Sequence, residues 1–150
     1  MITIKNTQRS HVLNIPQIRR TLSAILTTLD YADFDIGVWF TTDRTIRYYN
    51  RTYRSKDKPT DILSFPFYPE LKAGKRITAT DEEEKNLGDL IISVAYVTRA
   101  AEKLNVNFDS HLTMLLVHGI CHLLGYDHEK DTDYRVMRRK EEAILRSLKK

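Results

Sequence analysis

The chain reads His118-Gly119-Ile120-Cys121-His122-Leu123-Leu124-Gly125-Tyr126-Asp127-His128, and this stretch holds three of its five histidines in the order H-x-x-x-H-x-x-G-x-x-H. Positions i and i+4 lie on one face of an α-helix, so His118 and His122 are predicted to present two imidazole nitrogens to one point. Gly125 allows a turn, because glycine adopts left-handed backbone conformations easily. His128 is then expected to return toward the pair. Three converging imidazoles without an obvious fourth protein ligand predict a catalytic zinc site, one ion per chain, with an open position for water.

The helix that is predicted to carry the first two histidines is strongly apolar. Its large apolar residues are Leu112, Met114, Leu115, Leu116, Val117, Ile120, Leu123 and Leu124. Imidazoles in such surroundings need polar partners. The alternative, that these are ordinary surface and turn histidines, is therefore disfavoured.

The residue directly after the first histidine is Gly119. Zinc proteases carry a glutamate at this position, where it acts as the general base. The ligand spacing is therefore similar to that of the metzincin proteases, whereas the protease base is missing. The sequence predicts a site that holds zinc and water without obvious peptidase machinery.

The length of 150 residues predicts one metal-dependent hydrolase domain over residues 1–150. A net charge of +4 favours an anionic partner such as nucleic acid, although charge alone fits an ordinary basic protein equally well. Cys121 is the single cysteine, which excludes a disulfide within the chain and fits a reducing compartment. Residues 1–6 hold no long apolar run, so we expect a cytoplasmic protein without a signal peptide, a transmembrane span or a membrane partner.

Hydrophobic periodicity and capping residues predict an α+β fold: a mixed four-stranded sheet packed with about five helices, one of which carries the zinc site and ends in a glycine turn. The predicted strands are residues 2–6, 35–41, 62–65 and 87–93. The predicted helices run from Asn14 and Pro16 to about Asp30, from a cap at Asp43, from Ser93 to about Leu104, from a cap at Asp109 to about Leu124, and from Asp131. Residues 68–86 are polar and charged, which predicts a long mobile loop, either a functional flap or a disordered segment.

A basic cluster lies at the predicted end of the second helix. Arg54, Lys56 and Lys58 precede Pro59, which is expected to stop that helix. Such clusters are ordinarily solvated turns. Beside a metal site the same residues would clamp a phosphate group, and the planar fork of arginine fits phosphate oxygens best.

Three segments together resemble the YbeY family of bacterial rRNA maturation endoribonucleases. Residues 118–128 match its H-G-x-x-H-x-x-G-Y-D-H signature. Residues 50–66 resemble its N-x-x-Y-R-x-x-x-x-P-T-D-V-L-S-F-P segment, with Ile62 where valine is usual, and residues 87–91 are similar to its L-G-D-I stretch. The resemblance covers most of the chain after the first third, which matches only in outline.

This resemblance implies a zinc-dependent, single-strand-specific endoribonuclease that acts in rRNA maturation, at the 3′ end of the small-subunit rRNA, and in ribosome quality control. It implies zinc at His118, His122 and His128 and a functional arginine at Arg54. The implied partners are single-stranded RNA and components of the small ribosomal subunit, and neither DNA nor a membrane is expected.

Chemistry suggests how these residues would cut RNA. Zinc lowers the pKa of bound water toward about 7, and Arg54 would stabilise the negative charge that develops on the phosphodiester. Attack by the resulting hydroxide and attack by the RNA 2′-hydroxyl both remain open. Lys56 and Lys58 are candidate RNA contacts. Asp127 is either a partner of a ligand histidine, a proton acceptor or a turn-forming residue.

The remaining residues near these motifs receive structural interpretations. Cys121 is predicted to be buried and structural, because helical periodicity points it about 60–100° away from the histidine pair. Met137 and Glu141 fit the family's spacing after the last histidine, and Met137 is expected to pack in the core rather than beneath the zinc. Asp61 and Asp89 are expected to serve capping and turn roles.

Three classes of function are compatible with these observations, and the ribonuclease is favoured. A non-RNA zinc hydrolase, such as a protease, would use the same ligands, but Gly119 opposes it. A ribosome assembly factor would use the zinc chiefly for structure, so that replacing a ligand would unfold the protein.

Overall fold

A mixed sheet of four strands is the centre of the computed structural model, which describes residues 1–149. The strands are β1 (Ile2–Asn6), β2 (Asp35–Thr41), β3 (Ile62–Pro66) and β4 (Asn86–Ser93). Their order across the sheet is β1-β2-β4-β3. Strands β1, β2 and β4 are parallel, whereas β3 pairs antiparallel with β4 at one edge. The predicted α+β fold with a mixed four-stranded sheet is confirmed.

Five α-helices accompany this sheet within residues 1–149, again as predicted. They are α1 (Ile15–Thr28), α2 (Asp43–Arg54), α3 (Val94–Leu104), α4 (Phe108–Leu123) and α5 (Asp131–Leu148). None of these helices combines the length and the apolar character that crossing a bilayer requires.

The two faces of the sheet pack differently, because side chains alternate along each strand. One face, with Val38 and Leu90, joins α1, α4 and α5 in the main hydrophobic core. The other face packs against α2 in a smaller cluster formed by Ile46, Leu63 and Ile91. Helix α2 therefore covers this face near β3 and β4, whereas Thr3, Lys5 and Asp89 on the same face are exposed.

Helix α4 is buried along most of its length and contacts β3, β4, α1, α3 and α5. Leu116 and Ile120 are fully buried, and burying one such side chain stabilises the fold by roughly 1.5–3 kcal/mol. The hydroxyl of Ser64 on β3 donates to the carbonyl of Gly119 at 3.3 Å and ties the helix to the sheet edge. The histidine stretch therefore begins on an element that is held from several sides.

Two helix caps differ from the prediction. Asn107, rather than Asp109, caps α4, and its side chain accepts hydrogen bonds from the amides of Asp109 and Ser110. Thr42, rather than Asp43, caps α2. In both cases the predicted aspartate lies inside the first turn, and the residue that caps the helix precedes it. The caps predicted at Asn14 and Ser93 are observed.

Two helix ends also differ from the prediction. Helix α2 ends at Arg54 because Ser55 adopts a left-handed conformation with φ of 58°, well before Pro59. Helix α1 ends at Thr28 rather than near Asp30, which itself has a positive φ of 61°. A left-handed non-glycine residue follows each helix. Serine rarely adopts that conformation, and aspartate adopts it more often but does not by itself mark a helix end.

The segment predicted to be a long mobile loop, residues 68–86, makes its own contacts with the core. Ile77 is only 8% exposed, and its amide donates to the hydroxyl of Tyr31 at 3.1 Å. The hydroxyl of Tyr68 donates to the carbonyl of Glu84 at 2.6 Å, where a short 3-10 turn precedes β4. The segment thus buries an apolar anchor between charged stretches.

Candidate metal centre

The three motif histidines converge, as the spacing predicts. His118 and His122 lie one turn apart on α4, and His128 follows the turn at Gly125, where φ is +93°. The ring centroids are separated by 4.6 Å for His118 and His122, 5.0 Å for His122 and His128, and 5.6 Å for His118 and His128. One nitrogen of each ring lies within 4.8 Å of the others. These three side chains could therefore bind a single metal ion.

Gly125 is required at this turn for two reasons. Its left-handed conformation disfavours other residues. A Cβ atom there would also collide with the carbonyl oxygen of Leu71 and lie 2.9 Å from its carbonyl carbon and 3.0 Å from that of Lys72. The segment 68–86 therefore packs directly against the turn that returns His128 to the site.

The second ring nitrogens of two histidines have acceptors of their own. Nδ1 of His118 lies 2.7 Å from a carboxylate oxygen of Glu141, and Nδ1 of His122 lies 2.9 Å from the carbonyl oxygen of Tyr126. A carbonyl oxygen and a carboxylate accept hydrogen bonds, so both Nδ1 atoms donate. The two Nε2 atoms, which are 3.2 Å apart, then face each other with lone pairs. Such an arrangement is repulsive alone and fits a bound cation.

The environment of His122 keeps its ring neutral. Burial, followed by the neighbouring imidazoles of His118 and His128, lowers the pKa of His122 to about 4. A neutral imidazole is the form that binds a metal ion, so this ring is ready to bind at neutral pH.

Glu141 is the site residue that reasoning from the sequence missed. In the sequence, Glu141 only fits the family's spacing after the last histidine and receives no role in the site. A signal was present, because Glu141 lies four residues after Met137 and three before Ile144, and both of those residues are buried. A carboxylate on the apolar stripe of α5 indicates a buried polar partner, which the structure identifies as His118.

A pocket of about 510 Å³ opens beside the histidines. Arg54, Asp61 and Asp127 line it together with the three histidines. Arg54 is exposed and makes no ion pair with any residue from 1 to 149. Lys56 and Lys58 are exposed but do not line the pocket, so the structure brings only the arginine of the basic cluster to the histidines.

The two pocket aspartates both make local hydrogen bonds. One oxygen of Asp127 accepts from the amide of His128 at 2.7 Å. One oxygen of Asp61 accepts from the amide of Ile62 at 2.7 Å. Each aspartate thus accepts a hydrogen bond from the amide of the residue that follows it, and both also line the pocket. Asp89 lies exposed on β4 and does not line the pocket.

Two further residues of the motif region belong to the core. Cys121 is fully buried, and burial raises the pKa of its thiol to about 12. Such a cysteine remains protonated at neutral pH and is not one of the converging side chains. Met137 is 2% exposed and packs within the main core. The packing interpretations of both residues agree with the structure.

Gly119 has a packing reason to lack a side chain. A Cβ atom there would lie 2.7 Å from Ile62 and 2.9 Å from Leu90. The glutamate of a zinc protease would therefore have to enter the apolar contact between α4 and the sheet. The protease base is missing from the sequence, and a side chain at this position would also have to displace the ends of the Ile62 and Leu90 side chains.

A family model described as endoribonuclease YbeY matches residues 3–149. The chain belongs to the YbeY family. This YbeY match includes the N-terminal third, in which the sequence motifs match only in outline. Two curated relatives named endoribonuclease YbeY come from Homo sapiens and Geobacter metallireducens.

The alignments with these YbeY relatives span nearly the whole chain. The human protein is 33% identical over 98% of this chain and 87% of its own length. The Geobacter protein is 39% identical over 99% of this chain and 96% of its own length. The solution structure of TM1509 from Thermotoga maritima has a TM-score of 0.65 at 24% identity, covers 98% of this chain and 88% of that chain, and supports the fold alone.

Proposed function

We propose that this protein is a zinc-dependent endoribonuclease that cuts single-stranded RNA and forms one metal-dependent hydrolase domain over residues 1–150. The proposal gives it a cytoplasmic role in rRNA maturation, at the 3′ end of the small-subunit rRNA, and in ribosome quality control. Components of the small ribosomal subunit would be its partners. The family membership and the relatives named endoribonuclease support RNA as the substrate.

One observation carries the proposal. Three imidazoles converge in a pocket that also holds Arg54, which is exposed and makes no ion pair within residues 1–149. Nitrogen donors without a fourth protein ligand are typical of a catalytic zinc site, which keeps a position open for water or substrate. His118, His122 and His128 would hold one zinc ion, and such a bound ion supplies Lewis-acid chemistry by lowering the pKa of water and neutralising phosphate charge.

The chain's own residues prepare this site. Glu141 and the carbonyl of Tyr126 keep the Nδ1 protons of His118 and His122, so that both Nε2 atoms remain available as ligands. Arg54 supplies a planar set of N–H donors in the same pocket. These donors match phosphate oxygens and would stabilise the extra charge of the transition state.

A proton acceptor is also needed, because the attacking hydroxyl or water must lose a proton. Asp127 is the proposed acceptor. One of its oxygens is bound to the His128 amide, and within residues 1–149 no hydrogen bond engages the other oxygen. Asp61 carries a second carboxylate in the same pocket and is the alternative.

The test compares zinc content and RNA cleavage in untagged proteins. Single-stranded RNA and the corresponding duplex serve as substrates. Wild type is expected to carry about one zinc per chain and to cut only the single strand. His118→Ala should lose both zinc and cleavage while remaining folded by circular dichroism. If folded His118→Ala cuts as wild type does, the proposed site is wrong and the assembly-factor function becomes the better one.

The role of Arg54 needs a separate variant. Arg54→Glu should retain zinc but lose cleavage by about 10²–10³-fold, the loss typical of a removed transition-state donor. Arg44→Glu is the matched control, because Arg44 is an exposed arginine on the same helix that does not line the pocket. Full activity of Arg54→Glu would remove Arg54 from the mechanism. An RNA with one 2′-deoxy nucleotide at the cut site distinguishes the nucleophiles, because only attack by water tolerates it.

A further inference from the structure

A second cavity lies on the other face of the sheet, beside α2, and we call it the aromatic groove. It measures about 430 Å³ and is lined by Trp39, Tyr49, Tyr53, Phe65 and Lys5, among others. Its volume falls in the range of about 300–1,000 Å³ that is usual for ligand sites. The histidines do not reach this face.

The rings of the aromatic groove form a continuous row. Trp39 meets Tyr49 edge to face at 5.6 Å between centroids. Tyr49 and Tyr53 are parallel within 6° at 6.0 Å, and Tyr53 meets Phe65 at 5.3 Å. Tyr53 is 64% exposed, although its ring is large and apolar. Exposed aromatic surface of this kind marks an interaction site rather than a core.

Cations border the row. Nζ of Lys5 lies 4.4 Å above the Trp39 ring. Arg54 follows Tyr53 directly in the chain, is exposed and makes no ion pair with residues 1–149. Exposed rings flanked by free cations are typical of grooves for single-stranded nucleic acid, in which bases stack on the rings and the backbone follows the charges.

One acidic residue in the groove determines which part of the nucleic acid fits. Asp89 lines the groove beside Gly37, where a Cβ atom would collide with the carboxylate. A carboxylate repels phosphate, but it accepts hydrogen bonds from the amino groups of bases. The groove therefore suits bases that point inward, with the phosphates outside, where Lys5 and the exposed Arg54 can meet them.

The aromatic groove and the histidine pocket are neighbours across the edge of the sheet. Tyr53 and Arg54 are consecutive at the end of α2, and the first lines the groove while the second lines the pocket. Ser64 and Phe65 are consecutive on β3 and divide in the same way. Because β3 is the edge strand, an extended chain can pass around it from one site to the other.

We propose that the aromatic groove is a base-stacking subsite for single-stranded RNA whose scissile phosphate lies at the histidine pocket. The proposal rests on the proposed function, since it assumes RNA as the substrate. It makes RNA selection depend on the bases that flank the cut. RNAs too short to pass around β3 would bind more weakly than longer ones.

The chain contains its own probe, because its single tryptophan is Trp39. Stopped-flow mixing of the zinc-loaded protein with unlabelled single-stranded RNA reads Trp39 fluorescence before cleavage occurs. Stacking of a base in the groove should quench this emission. An RNA with abasic nucleotides on one side of the cut should quench it much less.

Variants of Tyr53 test the energetic contribution. Tyr53→Ala should bind the intact RNA about tenfold more weakly by fluorescence anisotropy, and it should bind abasic and intact RNA equally. Tyr53→Phe should bind like wild type, because within residues 1–149 the Tyr53 hydroxyl makes no hydrogen bond. Tyr134→Ala is the matched control, an exposed tyrosine on α5 outside both cavities.

The outcomes separate the two proposals. If wild type binds and cuts RNA, but Trp39 emission and the Tyr53→Ala affinity do not change, only the stacking subsite is wrong, and the groove is left as a surface for a protein partner. If wild type neither binds nor cuts RNA, the proposed function fails as well. If Tyr53→Ala does not fold, the proposal is tested by wild type alone: equal quenching of Trp39 by intact and abasic RNA would overturn the stacking subsite.

Discussion

Glu141 contacts the histidine cluster from a helix that supplies none of the converging side chains. Its side chain is 13% exposed, and its carboxylate contacts Nδ1 of His118 at 2.7 Å. A carboxylate in this position fixes the rotation and tautomer of the ring and makes the opposite nitrogen a better donor to a metal. Glu141 is therefore a positioning residue for His118.

Replacement of Glu141 should weaken metal binding more than it weakens the fold. Glu141→Ala is expected to lower zinc affinity about 10–100-fold, and Glu141→Gln, which keeps an acceptor but not the charge, should fall between it and wild type. Competition with a chromogenic chelator measures the affinity. Glu142→Ala is the control, because that carboxylate is half exposed and pairs only with Arg138 within the described residues. Equal affinities for both alanine variants would show that the contact does not position His118.

Alanine substitutions at Gly125 and Gly74 distinguish the cost of backbone strain from the cost of steric crowding. Both have positive φ, but a Cβ atom at Gly74 meets nothing within 4 Å, whereas one at Gly125 meets the backbone of Leu71 and Lys72. Gly74→Ala should reduce the free energy of unfolding by about 1–2 kcal/mol, and Gly125→Ala by about 3 kcal/mol or more. Urea denaturation of the metal-free proteins measures both. Similar losses would mean that the segment near Leu71 moves aside.

The parts of the site that the sequence predicts are those that local geometry determines. His118 and His122 share a helix, and His128 follows a single turn, so their spacing alone indicates convergence. Glu141 and Asp61 reach the site through tertiary packing, and no local pattern states which partner a distant carboxylate will meet. The functional role of Arg54 is inferred from the family resemblance, because hydrophobic periodicity alone predicts only a solvated turn at this position.

At the scale of elements, the contribution of the α4 N-cap to the free energy of unfolding can be measured directly. The Asn107 side chain accepts from two backbone amides, whereas Asp109 only lies in the first turn of the helix. Asn107→Ala should reduce the free energy of unfolding by about 1 kcal/mol. Asp109→Ala removes a favourable charge near the helix N-terminus and should reduce it by about 0.3–1 kcal/mol. A larger loss from Asp109→Ala in urea denaturation would restore Asp109 as the cap.

Element types were predictable, but their ends depended on residues with weak signals. The stripes of α1 and α4 and the alternation of β2 are strong patterns over many residues. Several polar residues near each helix start compete for the cap, as Asn107 and Asp109 do. The left-handed Ser55 shows the same limit at a helix end, because its conformation is set by the turn that follows.

At the scale of the whole molecule, the metal ion should stabilise the fold. It would connect α4 to the turn after Gly125, and that turn packs against the segment 68–86. Free zinc at 100 times its dissociation constant would add about 2.7 kcal/mol to the free energy of unfolding. Thermal unfolding with zinc and with a chelator measures the difference. His118→Ala should show no metal-dependent shift, and an equal shift in that variant would place the stabilising ion elsewhere.

The strand order could not be derived from the sequence. Alternation of elements predicts a mixed sheet, but β4 lies between β2 and β3 although β3 precedes it in the chain. Pairing across such distances depends on which apolar faces fit together, and on the antiparallel return of β3. That order matters for the site, because it places β3 at the edge between the aromatic groove and the histidine pocket.

The positions of these parts along the chain set the order in which a ribosome produces them. Arg54 and the aromatic groove belong to the portion that is translated first, whereas His118, His128 and Glu141 come from the last two helices and the turn between them. A domain generally folds as a unit, and the sheet shares its core with α4 and α5. The parts made first would therefore wait for the last two helices, and a nascent chain would gain its surface for RNA and its metal-binding histidines together, once α5 has docked.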